Sequence, residues 1–449
     1  MSWTLQMNAF LEDGPHQPEE VVSDVVAWAA AKPVHLRREA VSLKPPAKSE
    51  LTQWSDPKVG WGVVMAASAE PPAILKKLIS KRKAPILRYM KDSPHALSVL
   101  QDDRGPVLDI AGSPSGIERG ALPYYLLIYG SPEAVPWCLQ YILGMRHCVG
   151  RVDLEGTQLE NYVNAVLNDF AGSRADSYRT LTFAVDQPDI THTLRTVLAD
   201  PLYARFQLDD ERSATSVFLA GDEDGRAATQ QSLNEQLAQY PGLIVTSSHG
   251  RTAPASNPPE MQRMLGWLVD QNKSAMDPDE LLKNWQPNGA IWYAHACCSA
   301  GSDDLTIFKG LFPEGTSAYK LIESVAKLGS LTAPFPKALL GAASPARAFI
   351  GHVEPTFNWT VRLPKTGQAL TDVLVSAIEN LNRGEPVAYA FRDRMIQAGS
   401  LLTSHDRARS DYINGAQNEE ELLRLKLSAL DIQSTVILGD PAVALPIRP

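Results

Sequence analysis

A histidine and a cysteine each follow an apolar segment in the second half of the chain, and this pair is suited to nucleophilic catalysis. His249 follows residues 242–248, and Cys297 follows residues 290–296. An imidazole can keep a thiol ionised and can protonate a leaving amine, so the two side chains together could attack a carbonyl group. Gly250, directly after the histidine, lets a substrate backbone approach closely. We expect the N–H groups of Gly250 and Cys297 to stabilise the resulting oxyanion.

The neighbours of these two residues leave alternatives for each role. Alternate residues of a strand point to opposite faces, so Cys297 and Cys298 diverge, and either one is a candidate nucleophile. His295 lies two residues before Cys297 and could share its face, which makes it a second candidate base. Together with His249 these residues also supply donor atoms for zinc, although adjacent cysteines fit a tetrahedral site poorly. We therefore predict catalysis without a metal ion or an organic cofactor.

Apolar strand patterns alternate with amphipathic helix patterns around these residues. After a polar break at residues 172–178, the predicted strands are residues 180–185, 216–220, 242–248, 290–296 and 346–353. Such alternation indicates the α/β class, with a mostly parallel sheet covered by helices on both faces. Ligands gather at the carboxyl ends of the strands in such sheets. If their strands are neighbours, His249 and Cys297 meet on one rim.

The chain divides into three predicted parts. Residues 1–50 are interrupted by prolines and predict an N-terminal extension wrapped on the body, with at most one helix near residues 21–31. Residues 51–171 predict a smaller α/β subdomain, and residues 172–449 predict the domain that carries the site. A length of 449 residues fits two to three domains.

Composition excludes several functional classes. Hydrophobic residues make up 44% and charged residues 21%, which is ordinary globular usage. A net charge of −9 argues against nucleic acid or an anionic membrane as the main partner. No apolar run is long enough to span a membrane, and the first residues do not resemble a secretory signal. Four cysteines in 449 residues form no disulfide framework, so we expect a cytoplasmic protein.

At His249-Gly250 and Ala296-Cys297 the sequence resembles a caspase-like cysteine peptidase, and most closely the gingipain branch of that clan. The family has a strand that ends in His-Gly and a later strand that ends in Ala-Cys. The sequence YYLLIYGSPEAVP at residues 124–136, followed by VGRVD, is similar to the first subdomain of gingipains. ALLGAASPARAFIG resembles the segment that follows their nucleophile strand. The similarity covers roughly residues 120–360 and implies a caspase-like, mostly parallel sheet flanked by helices.

The resemblance also implies roles for three further residues. In FAVDQPDITH, Asp186 takes the position of the acidic residue that supports the gingipain dyad. Asp189 takes that of the aspartate that binds a basic residue at P1, the residue whose carbonyl is attacked, through a charge-assisted hydrogen bond. The alternative for Asp189 is a helix N-cap, because a helical pattern begins just after it. Trp359 could form a wall of the P1 pocket, and its alternative is a place in the core.

The sequence thus predicts a cysteine endopeptidase that cleaves protein substrates after Arg or Lys. A protease without a signal peptide needs restraint, so we expect latency until a cleavage or a partner protein releases it, and a protein that activates or inhibits it is an expected partner. The proline- and serine-rich residues 251–259 are a candidate mobile loop. The alternatives are a catalytically inactive caspase-like interaction module and a structural zinc protein.

Overall fold

The computed structural model describes residues 3–21, 25–31, 51–222 and 225–447. Of the predicted N-terminal extension, residues 1–2, 22–24 and 32–50 lie outside the described residues. The strands, in chain order, are β1 (Trp3–Leu5), β2 (Ala9–Leu11), β3 (Gly14–Pro15), β4 (Glu19–Val21), β5 (Trp61–Ala66), β6 (Ile86–Tyr89), β7 (Val99–Asp102), β8 (Val107–Asp109), β9 (Tyr125–Tyr129), β10 (Cys148–Val152), β11 (Asp176–Ala184), β12 (Val217–Ala220), β13 (Pro241–Ser247), β14 (Gly250–Arg251), β15 (Ile291–His295), β16 (Gly301–Ser302), β17 (Leu331–Thr332), β18 (Ala348–His352) and β19 (Thr435–Gly439).

Helices fill most of the chain between the longer strands. In chain order they are α1 (Val25–Ala30), α2 (Ala73–Arg82), α3 (Trp137–Gly144), α4 (Gly156–Leu167), α5 (Ile190–Leu194), α6 (Asp200–Gln207), α7 (Asp210–Ser213), α8 (Gln230–Leu237), α9 (Pro258–Met264), α10 (Pro278–Asn284), α11 (Ser317–Ala326), α12 (Pro334–Gly341), α13 (Asp372–Asn382), α14 (Val387–Ala390), α15 (Arg392–Ile413) and α16 (Glu419–Gln433). A π-helical turn, Arg195–Ala199, joins α5 to α6, and Asn358–Thr360 form a 3-10 turn.

A twelve-stranded sheet runs through the molecule in the order β12-β11-β13-β15-β18-β19-β10-β9-β5-β6-β7-β8. Its strands are parallel except at the β18–β19, β6–β7 and β7–β8 pairs. The predicted α/β class with a large, mostly parallel sheet flanked by helices is therefore confirmed. Since β19 pairs with both β18 and β10, the predicted parts 51–171 and 172–449 contribute to one continuous sheet.

Burial explains why the central strands form where the sequence predicts them. Every residue of β13 and β15 is buried, and both are near-continuous runs of apolar or β-branched residues, typical of strands covered on both faces. The two strands are parallel neighbours, with Leu243 opposite Ile291 and Ser247 opposite His295. Their carboxyl ends therefore lie side by side, with β11 beyond β13 and β18 beyond β15.

The first residues of the chain lie on this rim of the sheet. β2 pairs in parallel with β14, which follows β13, and antiparallel with β3. Further along, α1 is tied to the last two long helices, because His405 Nε2 bonds the carbonyl of Ala29 at 2.6 Å and Lys426 Nζ donates to that of Ala31 at 3.0 Å. The one helix predicted in this region is confirmed, at Val25–Ala30. Within the described ranges, no helix has the length and apolar character needed to cross a membrane.

Candidate active site

The register of the sheet brings His249 and Cys297 to one place. Ser247 and His295 lie opposite each other at the ends of β13 and β15. His249 lies two residues after Ser247, and Cys297 lies two residues after His295. The backbones also touch, since a Cβ added to Gly250 would lie 1.9 Å from the carbonyl oxygen of Cys297. Only glycine allows this approach, and it places the Gly250 N–H beside that of Cys297.

Asp189 is the partner of His249. Its Oδ2 lies 2.9 Å from His249 Nε2, and both side chains are buried. Its Oδ1 accepts the N–H and the hydroxyl of Thr191, so the predicted N-cap of α5 is confirmed. Burial alone would raise the pKa of the Asp189 carboxyl, but the hydrogen bonds from His249 and Thr191 lower that pKa below its usual value. The carboxylate thus stays ionised and holds a proton on Nε2.

This arrangement assigns the two nitrogens of His249 to different tasks. With Nε2–H committed to Asp189, the lone pair lies on Nδ1, which is buried without a hydrogen-bond partner among the described residues. A buried, unpaired nitrogen is in the state that a general base requires. Asp189 therefore orients the imidazole through Nε2, and Nδ1 is available for proton transfer.

Asp186 lies elsewhere. Its carboxylate binds His192 Nδ1 and Arg195 Nη1, each at 2.8 Å, and is directed toward the helix that follows β11. The contact with His249, which the resemblance assigned to Asp186, is thus made by Asp189. Because Asp189 is occupied by His249 and Thr191, its carboxylate is not free to bind a basic P1 side chain.

Cys297 is fully buried, and its sulfur lies against the loop that follows β18. Sγ accepts the N–H of Thr356 at 3.2 Å and lies 3.9 Å from the Thr356 carbonyl oxygen. Burial raises the pKa of the Cys297 thiol to about 12, and the opposing effect of the Thr356 N–H does not offset it. In this form of the protein the thiol is protonated at neutral pH.

The rival residues have other environments. Cys298 has a φ of 54°, a left-handed conformation, and its N–H donates to the backbone carbonyl of Glu354 at 3.3 Å. Burial raises the pKa of its thiol well above the usual value. His295 bonds Tyr293 through Nδ1 and stacks edge-on against His352, and burial lowers the pKa of His295 to about 3. The part of the chain that the structure describes contains no cluster of three or more His, Cys, Asp or Glu side chains arranged to hold a metal ion.

The N-terminal segment, residues 3–11, occupies the space between His249, Cys297 and the loop after β18. The carbonyl oxygen of Asn8 accepts the N–H of Gly250 at 3.2 Å and that of Cys297 at 3.4 Å. These are the two N–H groups predicted to stabilise an oxyanion. The Asn8 N–H donates to the carbonyl of Thr356 at 3.0 Å. A peptide carbonyl thus already sits in the predicted oxyanion site.

Hydrogen bonds on both sides of Asn8 hold the N-terminal segment extended. Before it, the Asn358 N–H donates to the Gln6 carbonyl at 3.3 Å, and Asn358 Oδ1 accepts the Gln6 N–H at 3.3 Å. After it, the Thr252 N–H donates to the Phe10 carbonyl at 3.1 Å. The backbone at the start of the predicted mobile loop, residues 251–259, is therefore paired with this segment.

The side chain of Asn8 is also fully enclosed. Its Nδ2 donates to the carbonyl of Ser248 at 2.7 Å and to that of His295 at 3.2 Å. Its Oδ1 has no partner among the described residues. The two carbonyls belong to the residues just after β13 and at the end of β15, so the backbone of the two central strands forms this pocket.

Trp359 is buried in an apolar cluster beside the site. The cluster also includes Leu5 and Met7 of the N-terminal segment, Cys297 and Phe357. Neither Asn8 nor Thr356 was predicted as a site residue from the sequence. The alternation of apolar and polar residues at positions 3–8 is a strand signal, but it does not reveal where that strand binds.

A cavity of about 1570 Å³ lies away from the site. Its lining includes Tyr89, Lys91, Asp153, Glu155 and Lys337, and none of the predicted site residues contributes to it.

The chain matches no protein-family model, and no curated protein matches it.

Proposed function

We propose that the protein is a cysteine endopeptidase whose nucleophile is Cys297 and whose general base is His249. The observation that carries the proposal is the position of the Asn8 carbonyl. It accepts the N–H of Gly250 and the N–H of Cys297, the residue that bears the thiol. At 3.2 and 3.4 Å these hydrogen bonds are long for a neutral carbonyl, and they strengthen as negative charge develops on the oxygen.

The chemistry follows from this placement. His249 Nδ1 takes the proton of the Cys297 thiol as the sulfur bonds to the carbonyl carbon of the substrate. When the C–N bond breaks, the same proton passes to the leaving amine. Water then hydrolyses the thioester, which releases the carboxylate and restores the thiol. Asp189 is a positioning residue that holds the proton on Nε2 and stabilises the imidazolium.

The proposal includes latency imposed by the N-terminal segment. The segment occupies the cleft and buries the sulfur, which keeps the thiol protonated. Leu5 and Met7 are completely buried, and their burial contributes on the order of 3 to 6 kcal/mol to holding the segment in place. A protein that binds this segment, or a cut that frees it, would expose the site. All four cysteines are free, in keeping with a reducing, cytoplasmic location.

The test uses the full-length chain with the double substitution Leu5→Asp and Met7→Asp. Two carboxylates in an apolar cluster favour the displaced segment and leave the site residues unchanged. Thr4→Asp is the control, because it adds a carboxylate at an exposed position of the same segment. Alkylation of Cys297 by iodoacetamide under native conditions reports displacement, and mass spectrometry of a digested peptide library reports cleavage.

We expect rapid alkylation and cleavage in the double variant, and slow alkylation without cleavage in the unmodified protein and in Thr4→Asp. Cleavage should disappear when Cys297→Ala is added and persist when Cys298→Ala is added. Alkylation of Cys297 without any cleavage would refute the endopeptidase and support an interaction module. Loss of cleavage with Cys298→Ala alone would show that Cys298, and not Cys297, is the nucleophile.

A further inference from the structure

The pocket around the Asn8 side chain presents only acceptors to the group that enters it. The carbonyl oxygens of Ser248 and His295 both accept from Nδ2, while Oδ1 finds no donor among the described residues. All three residues are completely buried. Recognition therefore depends on a short side chain that carries an N–H donor at its end.

The backbone around Asn8 places it in the P1 position. Its carbonyl lies between the N–H groups of Gly250 and Cys297, and its own N–H is fixed by Thr356. Gln6 is fixed two residues earlier by Asn358. The Asn8 side chain thus enters the pocket from the residue whose carbonyl is bound by the N–H of Cys297, the proposed nucleophile.

We propose that the peptidase selects asparagine at P1, through the hydrogen bonds of its side-chain amide to the carbonyls of Ser248 and His295. This inference rests on the proposed function, and it replaces the basic P1 preference expected from the resemblance. The N-terminal segment is then a substrate-like sequence, Leu-Gln-Met-Asn followed by Ala-Phe-Leu, bound with asparagine at P1.

Acidic, apolar and basic P1 side chains fit this pocket less well than asparagine. Aspartate has almost the same shape but would set its carboxylate oxygens against two carbonyl oxygens in a buried site. Leucine also has a similar shape but brings no donor. It leaves the Ser248 carbonyl without a donor among the described residues, while the His295 carbonyl keeps the Ser248 N–H at 3.3 Å. Arginine and lysine would need a counter-charge, and the nearby carboxylate of Asp189 is bound to His249 and Thr191.

The first arm of the test uses the full-length Leu5→Asp/Met7→Asp protein with four internally quenched peptides. They share the sequence of residues 5–11 and carry Asn, Asp, Leu or Arg at the fourth position. We expect kcat/KM for the Asn peptide to exceed those for the Asp and Leu peptides by about 10- to 100-fold, the effect of a buried hydrogen bond lost. Mass spectrometry must locate the cut after asparagine.

The second arm needs no catalysis. In the otherwise unmodified chain, Asn8→Asp should loosen the N-terminal segment and raise the rate of Cys297 alkylation by about tenfold or more. Gln17→Glu is the matched control, since it makes the same amide-to-acid change at an exposed residue and should leave that rate unchanged.

The outcomes separate this inference from the proposed function. Cleavage of the peptide library at residues other than asparagine, or a preference for the Arg peptide, would overturn the inference and leave the peptidase standing. Alkylation of Asn8→Asp no faster than that of Gln17→Glu would also overturn it. If the double variant cleaves nothing although Cys297 is alkylated, the proposed function fails and the inference falls with it.

Discussion

The substitution Gly250→Ala tests the geometry of the site most directly. The added Cβ would lie 1.9 Å from the carbonyl oxygen and 2.9 Å from the backbone nitrogen of Cys297. Ordinary contact begins at 3.4 Å, so the two backbones must separate by about 1.5 Å, the difference between 3.4 and 1.9 Å. No flexible side chain is available to absorb this movement, because the colliding atoms are backbone atoms.

Such a separation splits the pair of N–H groups that face the Asn8 carbonyl. Their distances to its oxygen are 3.2 and 3.4 Å, so a shift of this size removes at least one donor. Loss of one oxyanion donor costs about 3 to 4 kcal/mol of transition-state stabilisation, or 10²- to 10³-fold in kcat. Overpacking also destabilises the fold by about 1 to 3 kcal/mol.

The assay measures kcat for the best peptide in the Leu5→Asp/Met7→Asp background, together with the urea midpoint of each protein. Gly112→Ala is the control, because its added Cβ would meet atoms of Asp109 at 3.5 Å or more. A folded Gly250→Ala variant with unchanged kcat would show that these N–H groups do not bind the oxyanion. If Gly250→Ala does not fold in that background, the substitution is made in the otherwise unmodified chain. The measurement is then the rate of Cys297 alkylation, which should rise because the segment is held less tightly.

Two further predictions concern buried carboxylates. In the displaced background, Asp189→Asn should lower kcat by on the order of 10²-fold, because the imidazolium of His249 loses its counter-charge. Asp186→Asn, whose carboxylate does not contact His249, should leave kcat unchanged, and equal losses in both variants would contradict the assignment. The pKa of Glu354 is raised by burial from 4.5 to about 8, so its contribution to stability is complete below pH 4.5 and is lost as pH rises toward 8. Glu354→Gln should therefore show a smaller fall in its urea midpoint between pH 5 and pH 8, and an unchanged fall would mean that Glu354 is not the titrating group.

The sheet could be predicted in part because its central strands carry a strong local signal. β13 and β15 are apolar over their whole length, and such runs occur where a strand is covered on both faces. The order of the strands has no local signal. β19 was not predicted, although it lies at the middle of the sheet, because its five residues follow the long helices α15 and α16.

The proximity of His249 and Cys297 was easier to predict than the contacts of the carboxylates near them. His249 and Cys297 follow neighbouring strands, so their proximity depends only on the register of one strand pair. Asp186 and Asp189 lie three residues apart in one turn, and sequence alone does not decide which carboxylate faces the histidine. The turns that follow β11 determine which carboxylate contacts the histidine. Arg195 binds the carboxylate of Asp186, while the N-cap conformation of Asp189 at the start of α5 directs its carboxylate to His249.

In the proposed peptidase, the N-terminal segment and a substrate use the same two N–H donors, and this restricts how the segment can be released without loss of catalysis. A change that loosens the segment by weakening the Gly250 or Cys297 donors also weakens transition-state binding, so it exposes a site that no longer works. Release that preserves catalysis must act on groups that belong to the segment alone. Leu5 and Met7 meet that condition, because they hold the segment through apolar contacts and take no part in the chemistry. An activator is therefore expected to recognise the segment itself, and not the rim that carries the dyad.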